Sequence, residues 1–320
     1  MHLLVLGGTA FVGRAVVADA LARGHEVTLF GRGRTGADLF PGVSRRTGDR
    51  AAGDYGSLAG GTWDAVVDVS AYVPRHVAQA ADALADSVDR YLFVSTVSVY
   101  DPASASPGFT EDSPRVAAAR DTEDVTGDSY GGLKVACEDD LRDAFGDRLA
   151  IVRPGIVAGP HDHTERFTLW ARRAARGGLV ALPGRPDQAV QVVDSRDLAR
   201  LVVLLLESGS AATVHAVGPA EPITLAGLVL ACALGAGTSV EVAPVDPGRV
   251  APPLPLVLPD AEGDVLFQAS PAAAAAAGMP ATPLAGTAAD TLAWDRERGT
   301  PPLPAELSPE REAELLSGGG

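Results

Sequence analysis

Tyr130 and Lys134 stand four residues apart in the run YGGLK, and Lys134 is the single lysine among 26 Lys and Arg side chains. A lysine kept in a chain that otherwise uses arginine points to a task that a guanidinium cannot perform. Arginine is bulky and planar, whereas the ammonium is compact and its three donors can be aimed. On a helix, positions i and i+4 share a face, so the phenol and the ammonium project side by side. The fixed positive charge is expected to draw the Tyr130 pKa down from a reference of about 10 towards neutrality. A phenol tuned in this way gives and takes a proton at a reacting oxygen.

A second set of residues lies at the N-terminus. The segment LGGTAFVGRA places Gly7, Gly8 and Gly13 between an apolar run and a helical pattern. Glycines there keep the turn tight and let a backbone approach a pyrophosphate, which rests on the helix N-terminus. Thr9, Ala10, Phe11 and Val12 complete that turn. The next strand ends in Phe30-Gly31-Arg32-Gly33-Arg34. No carboxylate stands there to bind a ribose 2′-hydroxyl, and Arg32 and Arg34 suit a 2′-phosphate. NADP(H) is therefore favoured over NAD(H), which stays as the alternative.

The elements that must position these residues are legible in outline. HLLVL (2–6) reads as a buried strand, FVGRAVVADALA as a helix with Gly24 as its C-cap, and HEVTLF (25–30) as a second strand. AVVDVS (65–70) and YLFVSTVSV (91–99) read as buried strands, with a helix from about Val77 to Ala85 between them. A helix over 130–145 and the strand LAIVRP (149–154) follow. Strands alternating with helices predict an α/β protein with a Rossmann-type, doubly wound parallel sheet.

Beyond residue 155 the pattern loosens. A helix from about Thr164, a strand–turn–helix over 190–207 and a short helix over the Ala run at 272–277 are expected. Residues 1–160 are assigned to a dinucleotide-binding domain, with 187–217 packing back onto it. Residues 161–186 and 218–300 form a smaller, mostly C-terminal substrate lobe. Residues 301–320 form a C-terminal tail with a short helix begun by Ser308-Pro309 and a frayed GGG end.

The net charge of −15 argues against nucleic-acid and anionic-membrane partners, which need a basic footprint. Two cysteines, Cys137 and Cys232, are too few for a disulfide framework and fit a reducing cytoplasm. The opening apolar run has no basic n-region, and no stretch reaches the length of a membrane span. A soluble cytoplasmic protein is expected, with a small-molecule substrate and a homodimer as its candidate assembly. The HDH run at 161–163 lacks ligand spacing, so no metal is expected. His161, Trp170 and Arg173 are the candidates for substrate contact.

Taken together, the motifs resemble the short-chain dehydrogenase/reductase superfamily in its extended or atypical, NAD-dependent epimerase/dehydratase-like branch. The resemblance covers residues 2–295. GGTAFVG is similar to that family's GGxGxxG, YGGLK to its YxxxK, FVSTVSVY to its strand end S-[ST]-x-x-V-Y, and RPGIVAGP to its RPxxVYGP. VQVVDSRDLA and VHAVGPAEPITLAGLV resemble two further family segments.

The resemblance implies that Tyr130 is the catalytic acid/base, that Lys134 lowers its pKa and holds the nicotinamide ribose, and that Thr96 hydrogen-bonds the reacting oxygen. It implies that Asp49 contacts adenine, that Val69, Ser70 and Ala71 line the cofactor, and that Arg153, Pro154 and Gly155 run past the nicotinamide. Departures are visible. Ala10 replaces the middle glycine of the fingerprint, and Val97-Ser98 stands where the dehydratases carry Asp-Glu. Ile156 stands where many sugar-nucleotide epimerases carry Asn, and Asp101 rather than Gly follows Tyr100. The expected activity is NADP(H)-dependent reduction of a carbonyl, or the reverse oxidation. An epimerase of a nucleotide-linked sugar and a noncatalytic dinucleotide-binding regulator are the alternatives.

Overall fold

The computed structural model describes residues 1–318. Strands β1 (His2–Leu6), β2 (Glu26–Gly31), β3 (Ser44–Thr47), β4 (Trp63–Asp68), β5 (Val88–Val94) and β6 (Leu149–Pro154) alternate with helices α1 (Phe11–Ala22), α2 (Pro74–Leu84) and α3 (Tyr130–Phe145). Next come β7 (Ile156–Ala158), α4 (Arg166–Ala175), β8 (Gly178–Pro183), β9 (Ala189–Val190), β10 (Val192–Asp194), α5 (Ser195–Glu207) and β11 (Thr213–Ala216). The chain ends with β12 (Ile223–Thr224), α6 (Leu225–Ala236), β13 (Val240–Val245), α7 (Ala272–Ala276), α8 (Leu284–Glu297) and α9 (Pro309–Ser317).

The main sheet has seven strands in the order β11-β6-β5-β4-β1-β2-β3, and every pairing in it is parallel. Its inner strands β1, β4, β5 and β6 are largely apolar because both faces are covered. Within β1, Leu3 and Val5 join the core under α1 and α5. Leu4 and Leu6 join the opposite core with Val77, Leu84, Leu141 and Phe145 of α2 and α3. This alternation at period 2 makes the sheet doubly wound. The outer strand β3 is exposed throughout, and its Arg45 and Arg46 discourage pairing of that edge with another chain.

The strand expected over 91–99 ends at Val94. Thr96 leaves the sheet and its hydroxyl accepts the Ser98 N–H at 3.1 Å, capping a single 3₁₀ turn over Val97–Val99. A run of β-branched residues hides this exit from pattern reading, because the side-chain cap and not apolarity ends the strand.

After β6 the chain leaves the sheet. Helices α4, α6 and α8 share a second core around Phe167, Trp170, Leu228 and Leu292, flanked by the parallel pair β8–β13. Residues 192–216 return: α5 covers α1 in the first core, and β11 joins β6 in the main sheet. The C-terminal residues do not simply trail away. Ser308 caps α9 by accepting the Arg311 N–H, and Leu315 is fully buried in the second core. The last two residues of the expected GGG tail lie outside the described residues. No helix among the described residues is long and apolar enough to cross a membrane.

Candidate active site

The glycine-rich turn joins β1 to α1 with almost no room above its backbone. Gly7 has φ +94, and a Cβ on Gly13 would lie 2.1 Å from the Gly7 carbonyl oxygen. Side chains there would push α1 off the turn, so the bare backbone and the helix N-terminus are left to face a ligand. Ala10 sits at φ −130 as the N-cap of α1, a conformation natural to any L-residue. Its methyl is carried without backbone strain.

The turn forms one wall of a cleft of about 510 Å³. Gly7 through Gly13, Arg32, Arg34, Asp49, Val69 and Ser70 all line it. Such a cradle, closed to side chains and open to an anion, fits the phosphates of a dinucleotide.

At the β2 end, Arg32 and Arg34 are exposed, and neither has a hydrogen-bonded or ionic side-chain partner among the described residues. Arg45 and Arg46 line the same end, brought there by the β2–β3 register that pairs Phe30 with Arg46. The side chain of Arg46 donates to the Ser57 carbonyl at 3.2 Å. Sequence reasoning missed these two arginines; the RR pair before TGDR was the signal. Asp49 accepts the Ala51 N–H at 3.0 Å, so it shapes a turn while also facing the cleft.

Arg50 was also missed. It donates twice to Asp68, at 2.8 Å each, and once to the Ser70 hydroxyl at 2.7 Å. Tyr91 donates to the same carboxylate at 2.8 Å. Burial alone would raise the Asp68 pKa, but the Arg50 charge and its hydrogen bonds outweigh it and hold the carboxyl below its ordinary range. The pair fixes the Val69–Ser70 wall.

The cleft wall ends at Tyr72, whose ring lies 6.4 Å from that of Tyr130. Tyr130 opens α3, at the C-terminal edge of the sheet and close to Thr96. Burial pushes its phenol up to about 12; Tyr72 adds to the rise, and the Thr96 side chain and the Arg166 charge oppose it. This corrects the expectation that Lys134 draws the phenol down. The Lys134 ammonium instead donates to the carbonyl oxygens of Ala71 at 2.9 Å and Val94 at 2.8 Å, and it lies 4.0 Å from the Phe93 ring centroid. It is buried, and desolvation lowers its pKa to about 8. Ala71 thus meets Lys134 through its carbonyl and is not part of the cleft wall.

Arg153 is buried and forms a bidentate pair with Glu138, at 2.9 and 2.7 Å. It is a packing element of α3 and β6 and does not reach the cleft. Pro154 ends β6 opposite Ala216 of β11, and the Gly155 N–H donates to the Ala216 carbonyl at 3.1 Å. Neither Pro154 nor Gly155 belongs to the cleft wall.

Of the three substrate candidates, two turn inward. Trp170 is 1% exposed and donates to the Pro255 carbonyl at 2.8 Å, as its helical stripe with Phe167 allows. Arg173 pairs with Glu312 of α9 and with the Leu179 carbonyl at 2.6 Å. His161 stands edge-on to Trp294 at 5.5 Å. It is His163 that lines the cleft, 6.3 Å from the Phe11 ring. No group of three or more His, Cys, Asp or Glu placed to hold a metal occurs among the described residues.

The family model described as the NAD dependent epimerase/dehydratase family matches residues 60–218. A chloroplast stem-loop binding protein of 41 kDa from Arabidopsis thaliana is 25% identical over 251 residues, 73% of this chain. The chain spans 63% of the length of that curated relative.

Among solved structures, a putative epimerase from Burkholderia cenocepacia superposes with a TM-score of 0.69 at 21% identity, covering 92% of this chain and 98% of that one. A UDP-glucuronic acid 4-epimerase from Bacillus cereus, solved in complex with NAD, gives 0.70 at 15% identity, covering 93% and 99%. At these identities the structural likeness is one of fold. The family match over residues 60–218, the seven-stranded parallel sheet and the glycine-rich βαβ turn together make the chain similar in sequence and fold to the NAD dependent epimerase/dehydratase family.

Proposed function

We propose that the protein is an enzyme that reduces a small-molecule carbonyl, or oxidises the corresponding alcohol, with NADP(H) preferred to NAD(H). The observation that carries this reading is the Tyr130 phenol at the start of α3 with the Thr96 side chain beside it, next to Tyr72 of the glycine-lined cleft, whose ring lies 6.4 Å from that of Tyr130 and 5.8 Å from the Lys134 ammonium. When bound, the dinucleotide supplies or accepts the hydride; the chain's own residues handle the proton. A half-buried phenol whose pKa is pushed up to about 12 is held protonated at neutral pH, the form that can donate to a carbonyl oxygen. The Thr96 hydroxyl orients that oxygen. The Lys134 ammonium has two donors taken by carbonyls and one left for the cofactor's ribose.

The cofactor preference rests on Arg32 and Arg34, exposed beside the cleft with no carboxylate among their partners. NADPH should bind more tightly than NADH, and Arg32→Ala should remove most of the difference while leaving NADH affinity unchanged. Titration of both proteins with both cofactors tests this. Equal losses for the two cofactors would assign Arg32 to the fold instead.

An epimerase of a nucleotide-linked sugar is the second reading. It is favoured by the family description and by neighbours such as the UDP-glucuronic acid 4-epimerase with NAD; Ile156 in place of the usual Asn counts against it. NAD retained through purification, with turnover of a UDP-sugar, would select it. Stem-loop binding of the kind named for the Arabidopsis relative is disfavoured by the net charge of −15, because nucleic-acid binding needs a basic footprint.

A further inference from the structure

Arg166 is the first residue of α4 and follows a tightly held strap that runs from β7 over residues 159–165. Buried Asp162 accepts the Thr164 N–H at 2.8 Å and its hydroxyl at 2.6 Å. Glu165 pairs with Arg298, and His163 lines the cofactor cleft. The strap therefore holds Arg166 three residues beyond the cleft-lining His163. Arg166 is half-buried, and its Nε donates to the Thr164 hydroxyl at 3.2 Å.

Among the described residues Arg166 has no carboxylate partner, unlike other arginines of the same helix. Arg172 pairs with Asp295 and Arg173 with Glu312, while Arg176 at the helix end also meets Glu312. In a chain of net charge −15, a half-buried guanidinium without a counter-charge forgoes compensation that is abundant elsewhere. Its charge also reaches the Tyr130 phenol. The Nη1 and Nη2 groups are left as a planar fork, the shape that matches a carboxylate through two parallel hydrogen bonds.

We propose that Arg166 binds a carboxylate carried by the substrate next to the reacting carbonyl, so that the substrate class is a small 2-oxo acid or the matching 2-hydroxy acid. The proposal rests on the oxidoreductase reading above. In the reducing direction the carbonyl carbon gains a hydride from the reduced dinucleotide, which is thereby oxidised. The carbonyl oxygen gains the Tyr130 proton, which water then replaces.

The test compares phenylglyoxylate with its methyl ester, which keeps the ketone and deletes the charge, as substrates with NADPH. Wild type should prefer the acid, and Arg166→Gln should lower kcat/KM for the acid by about 100-fold, mostly through KM, while lowering it far less for the ester, which loses only the effect of the guanidinium charge on Tyr130, and leaving NADPH affinity unchanged. Arg166→Lys should recover part of the loss, and unchanged melting temperatures would exclude a folding defect. Equal losses for acid and ester, or no preference in wild type, would overturn the proposal. If neither compound turns over, calorimetric titration of the NADPH complex with phenylglyoxylate decides. Binding by wild type that Arg166→Gln loses would keep the anion site while sinking the reductase reading. No binding, equal binding by both proteins, or binding of UDP-glucose in its place would overturn the anion site itself.

Discussion

A Cβ placed on Gly131 would lie 2.2 Å from the carbonyl oxygen of Ser98. The residue after Tyr130 is thus pressed against the 3₁₀ turn that Thr96 caps, and this contact sets how close the phenol and the threonine hydroxyl stand. Gly131→Ala should cost about 1–3 kcal/mol of stability, as overpacking does in well-packed cores, and should lower turnover by moving Tyr130. Gly127, with nothing within 4 Å of its added Cβ, serves as the control. Gly127→Ala should stay within about 0.5 kcal/mol of wild type. Chemical denaturation of both variants, with activity on the same preparations, checks the pair.

Tyr130→Phe should fold, bind NADPH with unchanged affinity and lose about 10²–10⁴-fold in turnover, the usual worth of a positioned acid/base. Activity close to wild type would remove Tyr130 from the chemistry.

Lys134 gives a pH signature. Its pKa in the folded protein falls to about 8 because burial disfavours the ammonium, below the value of about 10.4 in the unfolded chain. Between these values the unfolded chain binds more protons than the folded one, so stability should rise with pH from about 8 to about 10. Lys134→Met should flatten that rise. It should also cost about 1–3 kcal/mol at neutral pH by stranding the Ala71 and Val94 carbonyls. Lys134→Arg keeps the charge but not the fit, so cofactor affinity and turnover should both fall. Melting curves across pH 7–10 and NADPH titrations read these effects. A melting profile of the same slope in Lys134→Met would show that another group titrates.

The buried Glu138–Arg153 pair should behave as a unit. Glu138→Ala strands the guanidinium and should cost about 3–5 kcal/mol, whereas Glu138→Leu with Arg153→Met should cost far less. Burial would raise the Glu138 pKa, but Arg153 outweighs it and holds the carboxyl below its ordinary range. The pair's contribution should therefore be present above the ordinary carboxylate pKa and fade as pH falls through the lowered one. Urea titrations at neutral and acid pH of the single and double variants measure both effects.

Much of the first lobe could be read from the chain. HLLVL followed by a glycine-rich turn and a helix specifies a βαβ unit locally, because period, turn chemistry and capping act over a few residues. The same locality placed Tyr130 and Lys134 on one helix face.

Where their polar ends point is a tertiary matter. The ammonium turns to the Ala71 and Val94 carbonyls because those carbonyls lie just past β4 and at the end of its neighbour β5, which only the assembled sheet brings together. The Tyr130 phenol is raised and not lowered for the same reason: packing buries it, and desolvation outweighs a charge spent elsewhere. Trp170 and Arg173 show the opposite error. Their residue types suggested substrate contact, yet Trp170 fills the second core and Arg173 meets Glu312, 139 positions away in the chain. Composition and spacing decided which chemistry the chain could carry; burial and long-range pairing decided which side chains were left free to carry it.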